Sequence, residues 1–97
     1  MQVVSIQMAV SEGDKVQNLD RAAKKVRQAG NVDLIILPEL WNVGFMSFDR
    51  YIPEAEDMNG PTLALLRELA KEVNAYVHTG SFVEKDGDRY YNSSYLL

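Results

Sequence analysis

The residue with the strongest claim to chemistry is Glu39, in the stretch VDLIILPELWNVGF, residues 32–45. Four aliphatic residues, Leu34 to Leu37, run into Pro38 and then into this acid. Proline fixes φ and cannot donate to a strand ladder, so the strand stops there and the carboxylate projects from a rigid position. In open α/β sheets, sites gather beyond the carboxyl ends of the strands, where the loops diverge. Trp41 and Phe45 follow as candidate walls of a substrate pocket, with Met46 and Phe48 beyond them. Burial among such side chains would push a Glu39 carboxyl upward, toward a value useful to a general base. The competing reading is a solvated acid at a strand end, with the aromatics serving packing alone. Motif logic leaves both open.

Other groups weigh less. His78 is the only histidine, and on an alternating strand it shares a face with Tyr76 and Phe82. No second ligand stands at a recognised spacing, so a core or interface histidine is expected and no metal site. Asn92 and Ser93 fall mid-strand, where a buried polar side chain needs a partner. Asn92 is the candidate to support the pocket from behind. Neither Ser47 nor Ser81 has an evident base and orienting group to make it a nucleophile. Lys24, Lys25 and Arg27 flank the stripe of the first helix and read as a solvated face, as do Arg67, Glu68 and Lys71. There is no cysteine, which excludes disulfides, thiolate metal sites and a cysteine nucleophile among these 97 residues.

A formal net charge of −4 disfavours nucleic-acid backbones and anionic membrane surfaces, both of which call for clustered Lys and Arg. No run approaches the ~20 apolar residues of a membrane-spanning helix. The opening MQVVSIQMAV alternates too regularly for a signal peptide, so a soluble cytoplasmic protein is expected. Asn92-Ser93-Ser94 matches a glycosylation acceptor, read here as chance.

The elements that would position Glu39 follow from periodicity. Val4, Ile6, Met8 and Val10 alternate as a strand. Asp14, with Gln17 three residues on, resembles a capping box, and Val16, Leu19, Ala23 and Val26 give the helix that follows one buried stripe. Gly30 closes it. Asp33 to Leu37 is apolar on both faces, as an interior strand should be. Residues 42–60 lack periodicity and form a long loop. Gly60-Pro61 opens a second helix, buried through Leu63, Leu66, Leu69, Ala70 and Val73. NAYVHTGSFVE reads as a third strand, Asp86-Gly87 as a hairpin turn and RYYNSSYLL as a fourth strand. Strands separated by helices imply parallel pairing first and an antiparallel hairpin at the end, an α/β class. The uncovered apolar strand at the C-terminus suggests the N-terminal part of something longer.

These residues resemble a known family. VVSIQMAV, the helix ending near AGNVDLIILPEL, GPTLALLRELAKE and GSFVEKDGDRYYNSSYLL together make nearly the whole chain similar to the N-terminal part of the nitrilase, or carbon–nitrogen hydrolase, superfamily. The resemblance implies a four-layer αββα sandwich, here a mixed sheet with helices on one face. It implies that residues 1–97 are the N-terminal portion of a single carbon–nitrogen hydrolase domain, ending before the family's catalytic Lys and Cys. It assigns Glu39 as the general base of a Glu–Lys–Cys thioester mechanism that converts an amide or nitrile to a carboxylic acid and ammonia. A small-molecule amide or nitrile substrate, no cofactor and a homodimer or higher homo-oligomer are implied as well. The 97 residues alone are expected to be inactive, since the thiol is missing. The alternatives are a catalytically inactive fragment of this fold, or a receiver-like signalling module of flavodoxin topology. The latter needs a strand-end Asp and a pair of acids after the first strand, where this chain has Pro38-Glu39 and SEGD.

Overall fold

Alternation sets the faces of the sheet. The computed structural model describes all residues, Met1–Leu97, with β1 (Val3–Ser5), α1 (Lys15–Gln28), β2 (Leu34–Ile36), α2 (Pro61–Val73), β3 (Tyr76–His78), β4 (Phe82–Asp86) and β5 (Arg89–Ser93) in chain order. β1, β2 and β3 form a parallel sheet in that order, with Val4, Ile35 and Val77 in one row. This row, continued by Ile6 and Leu37, packs against Ala22, Ala23 and Val26 of α1 and Leu66 and Leu69 of α2. Both helices therefore cover one face, while Val3 and Tyr76 on the other stay exposed.

β4 and β5 pair antiparallel, and Gly87 takes the positive φ of +64° at their turn. The terminal Tyr95–Leu97 runs antiparallel along β3: Val77 and Leu97 exchange backbone bonds of 3.0 and 2.9 Å, and the Thr79 N–H donates to Tyr95 O. The sheet is thereby mixed, as expected. β2 stands in the middle, whereas the flavodoxin-like order puts the first strand between the second and third. The receiver-like alternative fails on that topology.

Several expectations need correction, among them RYYNSSYLL, which is not one strand, since β5 ends at Ser93 and Tyr95–Leu97 pairs with β3 instead. NAYVHTGSFVE is not one strand. It breaks at Thr79-Gly80-Ser81 into β3 and β4, so Phe82 does not share a face with His78. The break is made by Gly80, whose φ is +64° and whose missing side chain allows a backbone contact. A Cβ there would lie 2.0 Å from the Pro38 carbonyl oxygen and 2.6 Å from that of Leu37. Neither backbone atom can move aside cheaply. Gly80→Ala is therefore expected to destabilise the fold by about 2–3 kcal/mol, read from the urea midpoint.

The buried stripe of α1 is also shifted. Val16 is 81% exposed, and Asn18 is buried in its place beside Ala22, Ala23 and Val26. A buried amide is tolerated because it is satisfied: Oδ1 accepts from the Ser11 N–H at 2.8 Å, and Nδ2 donates to Ser11 O and Asn42 O at 2.8 and 3.0 Å. Asp14 caps the helix as expected, its Oδ1 accepting from the Gln17 N–H at 3.1 Å. Only half of the capping box forms, because the Gln17 side chain turns to the Ser11 hydroxyl. In α2, Ala70 and Val73 are only partly buried, and Thr62 joins Leu63, Leu66 and Leu69 in the interior.

Candidate active site

Glu39 emerges at the carboxyl end of β2, the central parallel strand. Its neighbours hold it on both sides. Leu40 is buried and adopts φ 49°, an uncommon conformation for a branched side chain. The Leu40 N–H donates to Ser81 Oγ at 3.0 Å, and the Ser81 N–H donates to Pro38 O at 3.2 Å. At its far end the Glu39 carboxylate accepts from Asn92 Nδ2 at 3.1 Å, across 53 positions of chain. The two polar candidates singled out in the sequence thus meet.

The aromatic candidates divide. Trp41 is 1% exposed within the core, and its Nε1–H donates to Thr79 O at 2.8 Å. It anchors the loop from below instead of walling a pocket, because an indole with its one donor satisfied packs best inside. Phe45 is 53% exposed, and Met46 and Phe48 are open as well. Glu39 itself is exposed, so the dry enclosure expected around it is absent among these residues. His78 is half-buried and accepts the Gly80 N–H on Nδ1 at 3.1 Å, a local turn contact. A cleft lined by Met1, Asp33, Lys71, Tyr76 and Leu97 among others lies at the amino ends of the strands, away from Glu39.

Sequence reasoning missed three members of this end of the sheet. Glu12 accepts from the Ser47 hydroxyl and packs against Gly44, whose φ is +100°. With the bond from Gly13 N–H to Val43 O at 2.7 Å, it ties the loop after β1 to the loop after β2. Tyr51 donates its hydroxyl to Phe45 O. Burial raises the Tyr51 phenol above its ordinary value, and the charges of Glu12 and Glu39 add to that rise. Glu56, the third, is buried beneath the loop beside Lys15. No signal in the local sequence marks the contacts of Glu12 and Glu56, since their partners lie on distant segments, and Tyr51 meets Phe45 inside a loop without periodicity.

Tyr95 donates to both Glu84 oxygens at 2.8 and 3.0 Å, and this hydrogen bond, then burial, then the Glu84 charge raise its phenol too. A phenol raised on folding keeps its proton longer in the native state. Its contribution is complete below the unfolded value of about 10 and is lost as pH climbs through the folded value. Ultraviolet titration should therefore show Tyr51 and Tyr95 ionising late. Glu12→Gln should bring Tyr51 down, and Tyr95→Phe should delete the other late component.

A family model described as carbon–nitrogen hydrolase matches residues 2–97. The chain is 33% identical over 98 residues to an (R)-stereoselective amidase from a Pseudomonas species, covering 100% of this chain and 35% of that protein. It is 37% identical over 91 residues to an omega-amidase from Bos taurus, covering 91% of this chain and 32% of that one. Among solved structures, a branch 10 nitrilase-superfamily protein from Saccharomyces cerevisiae superposes with a TM-score of 0.89 at 28% identity, over 100% of this chain and 39% of its own. A CN-hydrolase superfamily protein from Xanthomonas campestris gives 0.86 at 25% identity, over 99% and 39%. The chain thus spans about a third of the length of the amidases it matches.

Proposed function

The chain belongs to the carbon–nitrogen hydrolase family, and on that premise we propose that Glu39 is the general base of an amide-hydrolysing site in the full-length protein. The observation that carries this reading is the placement of Glu39. It is a carboxylate at the carboxyl end of the central strand, rigid at its backbone and oriented at its tip by Asn92. Amides are favoured over nitriles as substrates because the similar curated proteins are named amidases.

The remaining groups of the proposed mechanism are a cysteine and a lysine outside these 97 residues. The carboxylate takes the thiol proton, and the thiolate attacks the amide carbon. The oxyanion so formed needs a fixed positive charge, which a lysine supplies. The C–N bond breaks, ammonia leaves with a proton returned to it, and a thioester remains. Glu39 then takes a proton from water, whose oxygen displaces the thiolate to release the acid. Asn92, bonded to one carboxylate oxygen, leaves the other for proton transfer. A cytoplasmic location and homo-oligomeric assembly belong to the same proposal, as does inactivity of residues 1–97 alone.

The test is hydrolysis of short aliphatic amides by the full-length protein, with ammonia and acid measured together. Equal release of both, abolished by thiol alkylation, is expected. An unmodified, folded full-length protein that turns over no amide would overturn the reading.

A further inference from the structure

We propose that Ser81 is a positioning residue for Glu39, an inference that rests on reading Glu39 as the base. Ser81 is 6% exposed and reaches both peptide groups that flank the Glu39 Cα. Its N–H donates to Pro38 O, which belongs to the peptide plane before Glu39. Its Oγ accepts from the Leu40 N–H, which belongs to the plane after it. Peptide planes are rigid, so a residue whose two planes are both held has its φ and ψ fixed, and with them the direction of its Cα–Cβ bond. One buried serine thereby sets where the carboxylate points before Asn92 fixes where it ends.

The left-handed Leu40 is the sign that this grip does more than close a turn. A leucine persists at φ 49° only where its surroundings hold it there, and such residues cluster at functional sites. The holder is itself braced. Gly80 fits against the Pro38 and Leu37 carbonyls because it lacks a side chain, Trp41 Nε1–H bonds Thr79 O, and the Tyr95 N–H bonds Thr79 Oγ1 at 2.9 Å. Residues 79–81 therefore form a bracket against residues 38–41. The interruption between β3 and β4, which costs the sheet its continuity, is what brings Ser81 to Glu39.

The experiment compares Ser81→Ala, Ser81→Thr and Glu39→Gln in the full-length protein, with kcat, KM and thermal midpoint measured for each. Assays run well below the lowest midpoint, so that every variant is folded. With the acceptor gone, Ser81→Ala should lower kcat roughly 10–100-fold, the scale of a misplaced catalytic group, with KM little changed. Ser81→Thr keeps the hydroxyl and should retain more of the rate. The proposal is overturned if folded Ser81→Ala turns over like the wild type while Glu39→Gln is inactive. It is equally overturned if folded Ser81→Thr loses as much rate as Ser81→Ala. Full activity in Glu39→Gln is a different result, and it would remove the reading of the base itself.

Discussion

Glu39→Gln in the full-length protein is expected to lose roughly 10²–10⁴ of its turnover, the range for removal of a general base. The substitution keeps the size of the side chain and an oxygen that can still accept from Asn92 Nδ2, so the change is confined to the proton. Formation and hydrolysis of the thioester should slow together, because one group is assigned to both steps. Stability should scarcely move, since the carboxylate is exposed and bears no structural ion pair. A capping acid would behave in the opposite way, with near-normal turnover and a small loss of stability. Turnover and thermal midpoint, measured side by side, separate the two. Retained activity would sink the assignment.

The largest stability effect is expected one loop away, at Glu56. Its Oε1 accepts from the Thr62 N–H at 2.8 Å, supplying α2 with the cap that Gly60 cannot provide. Its Oε2 takes the Thr62 hydroxyl at 2.6 Å, Asn42 Nδ2 at 3.3 Å and Lys15 Nζ at 2.9 Å. Glu56 is 6% exposed, so its removal leaves buried donors without an acceptor. Lys15 keeps a second carboxylate, Glu54, at 3.2 Å, which moderates the loss. Glu56→Ala should cost about 3 kcal/mol, at the lower end for breaking a buried pair. Urea unfolding reads it directly. A change of only a few tenths would mean that water replaces the carboxylate at no cost. The contrast between the two glutamates is the useful outcome: Glu39 should lose rate without stability, and Glu56 stability first.

What could be read from the sequence was local. Asp14, Gly30, Gly60-Pro61 and Asp86-Gly87 mark element ends, because a cap or turn is decided within four residues. Glu39 stood out for the same reason, as an acid straight after a proline-stopped strand. What could not be read was decided by distant partners. Stripe spacing favours burying Val16 over Asn18, yet Asn18 is the one inside because it finds its bonds on Ser11 and Asn42. The Thr79-Gly80-Ser81 cluster is itself a loop signal in the sequence, and what could not be read there is the close approach of Gly80 to the Pro38 carbonyl. Trp41 reads equally well as a pocket wall or as core, because loop aromatics carry no mark of direction, and the fold puts it in the core. Asn92 stands out as a mid-strand polar residue, but its partner Glu39 is brought to it only by the folded hairpin.

The bracket around Glu39 also bears on how the protein folds. Ser81 meets Leu40 across 41 positions and Asn92 meets Glu39 across 53, while neighbouring strands of the parallel sheet must wait for a helix to close each crossover. Loop closure has to come before such contacts stabilise anything, so topologies of this kind form late and slowly. Leu40 cannot rest in its left-handed state until residues 79–81 arrive. In the nascent chain Glu39 is thus an ordinary, freely rotating carboxylate, and it becomes a directed one only when the long-range sheet is complete.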